Sequence, residues 1–171
     1  MALALSLKNR SKTKPTYTKQ GDEMAFDDRE LLARLIQCEA GGEGDDGMRA
    51  VATVIMNRVR VPYGEFARVS QGGNVRAIIE QQGQFNCMRT ELGGRTNYQN
   101  IWNMRPEAIH YEIADWALAG GILPGVDHSL FFYNPYSDTC PPYFPPGGAG
   151  VIHTRVNQHC FYIPTQVYAN T

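Results

Sequence analysis

Several features of membrane, secreted and metal-binding proteins are missing from this 171-residue chain. No apolar run approaches the roughly 20 residues that a membrane-spanning helix needs, so no membrane span is expected. The apolar start at residues 1–7 is short, and positive charges follow it instead of preceding it. We therefore detect no secretory signal peptide.

The charge of the chain is divided unevenly. Five of the 16 basic residues lie within residues 1–20, which contain no acidic residue. The other 11 are set against all 17 acidic residues, so the rest of the chain carries about −6. Such a body repels phosphate groups, which excludes nucleic acid as a partner. We interpret residues 1–24 as a flexible basic arm and residues 25–171 as a single domain.

Only four cysteines are present, and no paired metal-binding motif accompanies them. Five side chains could be assembled on paper into a zinc site: Asp138, Cys140, His153, His159 and Cys160. Their spacing matches neither Cys-x-x-Cys nor His-Glu-x-x-His, so no metal and no cofactor are predicted. Cys140 and Cys160 are expected to lie close together instead, as a candidate disulfide or a buried thiol pair that holds the Pro-rich loop 135–148.

Helical periodicity dominates the first half of the domain. A first helix is predicted from a cap at Asp28 to the Gly41-Gly42 pair. A second is predicted from an aspartate cap, Asp45 or Asp46, to Pro62.

The pattern changes towards the end of the chain. A short helix capped by Asn74 and a longer one starting at Pro106 precede two segments that alternate like strands, 129–133 and 150–162. Helices followed by a small sheet predict a helix-rich α+β domain.

Glu39 stands out in the first predicted helix because it continues the apolar face of Leu32, Leu35 and Ile36. A carboxylate on a buried face loses hydration, which raises its pKa. A pKa raised from about 4.3 towards roughly 6 leaves a protonated fraction near neutral pH, as an acid that protonates a glycosidic oxygen requires. The alternative is an ordinary glutamate at a helix end that reaches water or pairs with an arginine.

A longer pattern surrounds this residue. The segment from Glu39 to Gly44, followed by Gly47, 50–52 and Asn57-Arg58, resembles the signature of SleB/CwlJ-type cell-wall hydrolases. The resemblance continues in four later elements: Phe85, Phe132-Tyr133, Cys140-Pro141-Pro142 and His159-Cys160-Phe161-Tyr162. The last two elements resemble the CwlJ branch, and the whole resemblance covers about residues 28–168.

The resemblance implies a lysozyme-like, helix-rich catalytic domain with a small antiparallel sheet bordering the cleft. It also implies that the enzyme cleaves the peptidoglycan glycan strands of the spore cortex during germination, with Glu39 in the position of the family's catalytic glutamate. The implied location is the spore coat or the cortex surface. A spore-coat protein is a candidate partner on the same ground.

A glycosidase usually needs a second carboxylate, and Glu43, Asp45 and Asp46 are the nearby candidates. We take Glu43 as the second catalytic residue. If no second carboxylate faces the cleft, Glu39 alone suffices for a lytic transglycosylase, in which the muramic 6-hydroxyl attacks intramolecularly. That mechanism is favoured over hydrolysis.

Five residues are expected to bind substrate: Asn57, Arg58, Phe85, Tyr133 and Tyr143. The aromatic members could stack on sugar rings. Asn57 and Arg58 have an equally good structural explanation, because they stand at the end of the second helix and could complement its dipole.

Two other classes of function stay open at this point. One is a zinc-dependent peptidase or amidase that cuts peptidoglycan stem peptides with the C-terminal His and Cys residues. The other is a non-catalytic wall-binding module of the spore coat.

Deleting residues 1–24 should leave thermal stability and activity on soluble peptidoglycan fragments nearly unchanged, because the arm has no apolar stripe to add to a core. Thermal melts and turnover of the truncated and full chains test this. A large fall in melting temperature would show that the arm is part of the fold.

Overall fold

The structure is a computed structural model that describes residues 26–171. The predicted arm, residues 1–24, lies outside the described residues, so its flexibility stays a prediction. Within the described part, helices come first and a small antiparallel sheet comes last, as predicted for a helix-rich α+β domain. None of the helices described is at once long enough and apolar enough to cross a membrane.

Helix α1, Asp28–Ala40, is capped by Asp27, one residue before the predicted cap Asp28. The Asp27 carboxylate accepts a hydrogen bond from the backbone N–H of Glu30 at 2.7 Å, which satisfies a free donor of the first turn. The helix ends before Gly41. A Cβ atom at Gly41 would lie 2.4 Å from the carbonyl oxygen of Gln37, so only glycine fits this close approach.

Helix α2, Gly44–Arg60, is the centre of the domain. It begins at Glu43, and the aspartates predicted as caps, Asp45 and Asp46, lie in its first turn instead, where their charge favours the positive end of the helix dipole. All side chains from residue 50 to 56 are buried. The helix therefore packs against α1 and against three of the four helices that follow it.

Those three helices are α3 Gly64–Ser70, α4 Val75–Ile79 and α5 Ala108–Leu118. The short last helix, α6 Gln166–Ala169, packs against α3 and the sheet instead. The predicted α4 and α5 are present, whereas α3 and α6 were not predicted. Helix α5 begins at Glu107, whose side chain and that of His110 form a reciprocal capping box.

The sheet has three antiparallel strands: β3 Phe131–Tyr133, β4 Gly150–Val156 and β5 His159–Pro164. Strand β5 lies in the middle, between β3 and β4. The segment 150–162 thus contains a hairpin, which turns at Asn157 with a left-handed φ of 50°. Two further strands, β1 Glu91–Leu92 and β2 Arg95–Thr96, form a separate small hairpin.

Helix α6 closes the domain by packing Tyr168 against Gly64 at the start of α3. The Tyr168 hydroxyl donates to the carbonyl of Tyr63 at 2.9 Å and accepts from the N–H of Phe66 at 3.2 Å. Gly64 has a φ of 74°, and a Cβ there would lie 2.7 Å from the Tyr168 ring. Both the backbone and the close contact therefore require glycine.

Gly64→Ala should destabilise the fold more than Gly83→Ala, which is the matched control. Gly83 has a similar φ of 80° but nothing near its Cβ position. The control should lose only the left-handed backbone cost, about 1–2 kcal/mol. Gly64→Ala should lose roughly 1–3 kcal/mol more, from overpacking against Tyr168. Urea unfolding measures both, and equal losses would contradict the packing at Tyr168.

Candidate active site

A cleft runs between the helices and the sheet and widens into two cavities. Their volumes are about 480 Å³ and 770 Å³. Six residues line both cavities: Cys38, Glu39, Gln99, Asn134, Tyr136 and His159. Glu39 therefore lies where the two cavities meet, with open space on either side for an extended molecule.

Glu39 stands on the last turn of α1, and its side chain enters the cleft. No described residue forms a hydrogen bond or ion pair with its carboxyl group, nor is either oxygen among the fully buried, unpartnered atoms of the described chain. The group is thus enclosed by protein but reachable from the cleft. Burial raises its pKa to about 7, against a smaller opposing effect of the Arg58 charge.

Arg58 is buried on α2 beside the larger cavity. Its guanidinium donates to the carbonyl of Leu130 at 2.7 Å and to the side chain of Gln84 at 3.2 Å. It also lies over the rings of Phe66 and Phe85, at 4.7 Å and 5.3 Å from the ring centroids. Burial lowers its pKa to about 10, so it remains a cation at neutral pH.

Glu43 lines the smaller cavity, but its carboxylate is bonded to other residues of the protein. One carboxylate oxygen accepts the backbone N–H of Gln158 at 3.0 Å, and the other is hydrogen-bonded to Nδ1 of His159. The Glu43 carbonyl accepts from the side chain of Asn157 at 2.6 Å. Its carboxylate is therefore committed to the β4–β5 hairpin and not to a substrate.

The other predicted substrate-binding residues are divided between the cleft and the interior. Phe85 and Tyr133 line the larger cavity. Tyr133 stacks on Phe144 with ring centroids 4.7 Å apart, which leaves its other face free. Tyr143 is exposed and pairs with Val151, outside both cavities.

Asn57 also lies outside the two cavities. Its amide donates to the carbonyls of Asp127 at 2.7 Å and Ser129 at 3.0 Å. It thus ties α2 to the segment before β3. This structural role differs both from the expected place in the cleft and from capping of the helix end, since α2 continues to Arg60.

Two disulfides lie beside the site. Cys140 and Cys160 are bonded, with Cα atoms 5.9 Å apart, and Cys160 directly follows His159. Cys38 and Cys87 are also bonded, with Cα atoms 6.2 Å apart, and Cys38 directly precedes Glu39. The second bridge was not predicted, and its signal in the sequence was the even number of cysteines.

The described residues contain no group of three or more His, Cys, Asp or Glu side chains arranged to hold a metal ion. Of the set considered from the sequence, Cys140 and Cys160 are bonded to each other. His153 pairs with Asp127 at 3.0 Å, and His159 pairs with Glu43. The geometry therefore does not favour the zinc peptidase alternative.

Residues 42–162, more than half of the chain, match the model of the Cell Wall Hydrolase family. The chain belongs to this family. A cell wall hydrolase CwlJ of Halalkalibacterium halodurans is 30% identical over 138 residues, which cover 81% of this chain and 86% of the relative. The cell wall hydrolase CwlJ of Bacillus subtilis is 29% identical over 140 residues, with the same coverage of 81% and 86%.

Two solved structures share the fold of this family member. One is the catalytic domain of the germination-specific lytic transglycosylase SleB from Bacillus anthracis, with a TM-score of 0.57, 19% identity and coverage of 84% of this chain and 99% of that one. The other is the catalytic domain of the Bacillus cereus SleB protein, with a TM-score of 0.57, 21% identity and coverage of 90% and 98%. The predicted family and fold class are therefore confirmed.

Replacing Glu39 with Gln should stabilise the fold progressively as pH rises. The pKa of Glu39 is about 7 in the folded protein, above its ordinary value of 4.5. The folded protein therefore favours the protonated form of Glu39. The stability that this form contributes is fully present below the unfolded pKa and is lost as pH rises through about 7. The difference in unfolding free energy, Glu39→Gln minus wild type, should grow by up to about 3 kcal/mol between about pH 4.5 and 8.

Chemical denaturation at several pH values measures this difference. Glu112→Gln, at an exposed carboxylate on α5, is the matched control and should show no such trend. A flat profile for Glu39→Gln would contradict the raised pKa.

Proposed function

We propose that this cell wall hydrolase cleaves the glycan strands of peptidoglycan, with Glu39 as the proton donor. The observation that carries the proposal is a carboxyl group at the junction of two cavities, reachable from the cleft, with a pKa of about 7 and no partner among residues 26–171. At neutral pH about half of such a group is protonated. An acid in that state can protonate the oxygen of a glycosidic bond.

The shape of the cleft supports a polymeric substrate. Because there is space on both sides of Glu39, sugars of one continuous strand can occupy both cavities. The glycosidic bond between them would then lie next to the carboxyl group. The amides of Gln99 and Asn134 line both cavities and can bond sugar hydroxyls, while Tyr133 and Tyr136 offer aromatic faces.

The mechanism that we propose is lytic transglycosylation. Glu39 gives its proton to the glycosidic oxygen as the bond to C1 breaks, and the muramic 6-hydroxyl forms the new bond to C1. The carboxylate left on Glu39 is the final acceptor of the proton that this hydroxyl gives up. No added water is consumed, and the product carries an internal 1,6-anhydro ring.

The positions of the three carboxylates that follow Glu39 in the sequence, Glu43, Asp45 and Asp46, favour this mechanism over hydrolysis. Glu43 is held by the β4–β5 hairpin, and Asp45 pairs with Arg49 at 2.5 Å on the surface. Asp46 is exposed and lines neither cavity. An inverting hydrolase needs a second carboxylate opposite the first, and a retaining one needs it as nucleophile.

The biological setting that we propose is the spore cortex during germination. It rests on the resemblance to the SleB/CwlJ type and on the fold shared with a catalytic domain described as germination-specific. The enzyme would act at the spore coat or cortex surface, with a spore-coat protein as its candidate partner.

Glu39→Gln should fold and lose nearly all glycan cleavage. The amide keeps the size of the side chain but has no proton to donate, so turnover should fall by about 10²–10⁴-fold. The assay is mass spectrometry of fragments released from purified cortex peptidoglycan, in which 1,6-anhydro ends identify transglycosylation and reducing ends identify hydrolysis.

Glu112→Gln serves again as the control and should stay within a few-fold of wild type. Activity of Glu39→Gln close to that of the wild type would contradict the assignment of Glu39 as the proton donor. Release of peptides with intact glycan strands would replace the proposal with a peptidase.

A further inference from the structure

His159 is a cleft residue whose chemistry the proposed function leaves unused. It begins β5, lines both cavities together with Glu39, and is buried. Its Nδ1 is hydrogen-bonded to the Glu43 carboxylate, whose side chain is only 9% exposed. A buried carboxylate paired with an imidazole at the edge of a cleft needs an explanation beyond packing.

The partners of Glu43 fix the tautomer of this imidazole. A carboxylate can only accept, so Gln158 gives its backbone N–H to one oxygen and Nδ1 of His159 must carry the hydrogen that reaches the other. In the neutral ring, Nε2 is then the unprotonated nitrogen with a free lone pair. Glu43 thus determines that Nε2, and not Nδ1, is the nitrogen of His159 that can accept a proton.

The free nitrogen is open to the cleft. Nε2 bonds to no described residue, and it is absent from the fully buried, unpartnered atoms of residues 26–171. The ring itself is held firmly, because Phe132 lies edge-on to it at 5.5 Å and Phe161 lies at 6.4 Å. Its position is therefore fixed while one nitrogen remains available to a substrate.

A second His–carboxylate pair in the same sheet shows that pairing alone does not create this geometry. His153 lies at an irregularity of β4 and contacts Asp127 through Nε2 at 3.0 Å. That pair is exposed and lines neither cavity. Of these two pairs, Glu43–His159 is the one that combines a fixed tautomer with a place in the cavities that Glu39 also lines.

We propose that His159 is the catalytic base that receives the proton of the attacking hydroxyl, and that Glu43 is its positioning residue. The inference rests on the proposed function and deepens it. As the bond between C1 and the glycosidic oxygen breaks, that oxygen takes the proton of Glu39. The 6-hydroxyl oxygen bonds to C1 and its proton moves to Nε2. Transfer of this proton through cleft water to the Glu39 carboxylate restores both groups.

Glu43→Gln is the sharpest test because it keeps shape and hydrogen bonding. The amide oxygen can still accept from the N–H of Gln158, which turns the amide NH₂ towards Nδ1 of His159. Nδ1 must then accept, and the hydrogen moves to Nε2, which can no longer take a proton. We expect turnover on soluble cortex fragments to fall by about 10²-fold or more, with KM within a few-fold of wild type.

His159→Gln is the second variant, and it should show the same split between kcat and KM. His153→Gln is the matched control, since it removes an imidazole paired with a carboxylate outside the cavities. The control should keep wild-type kcat. Thermal melts of the full-length proteins establish that each variant is folded.

The outcomes separate this inference from the proposed function. Folded Glu43→Gln or His159→Gln with kcat near wild type would overturn the role of His159, while an inactive Glu39→Gln in the same assay would leave the proposed function standing. A rise in KM with unchanged kcat would also overturn it, because a substrate-binding role alone produces that pattern. A wild-type protein that releases no glycan fragments would instead remove the proposed function.

Discussion

A carboxyl group that is enclosed by protein without a hydrogen-bonding partner costs folding free energy whenever it is ionised. Glu39 is such a group among the described residues, and the properties of the site depend on this cost. Burial alone would raise the pKa of the group further, and a direct ion pair would lower it to the range of an ordinary glutamate. Arg58 forms no such ion pair, because its guanidinium is bonded to Leu130 and Gln84. It lowers the pKa of Glu39 only through its charge. The balance leaves a pKa of about 7, at which Glu39 can both hold and release a proton.

The same arrangement explains why the buried arginine is itself tolerated. Its charge is solvated by a carbonyl, an amide oxygen and aromatic faces instead of by a carboxylate. A carboxylate bonded to Arg58 would neutralise the charge that opposes the pKa rise at Glu39. The sequence predicts that Arg58 binds substrate directly. Its burial and its bonds to Leu130 and Gln84 instead favour an electrostatic role, exerted from the wall of the larger cavity.

Local patterns in the sequence predicted what depends on neighbouring residues. The 3.6-residue periodicity located α1 and α2 and placed Glu39 on a buried face, and glycine marked the end of α1. The ends shifted where a nearby side chain made a better cap, as Asp27 does for Glu30. Helix α3 was missed because no side chain caps its start, whereas the shorter α4 was predicted from its cap Asn74. The pairing of His159 with Glu43 joins residues 116 positions apart, and the Cys38–Cys87 bridge spans 49, so no local pattern could reveal either contact.

These distant contacts determine how the two sides of the cleft are held together. Glu39 belongs to a helix and His159 to a strand, and the catalysis proposed for the two residues requires a fixed separation between them. Each lies next to a disulfide-bonded cysteine: Cys38 anchors the end of α1 to Cys87, and Cys160 anchors the start of β5 to Cys140. Glu43 then joins the two sides directly, because it starts α2 and bonds to the β4–β5 hairpin. Glu43, predicted from the sequence as a second catalytic acid, thus links the helical and sheet parts of the site. Through this link the position of one proposed catalytic group depends on the packing around the other.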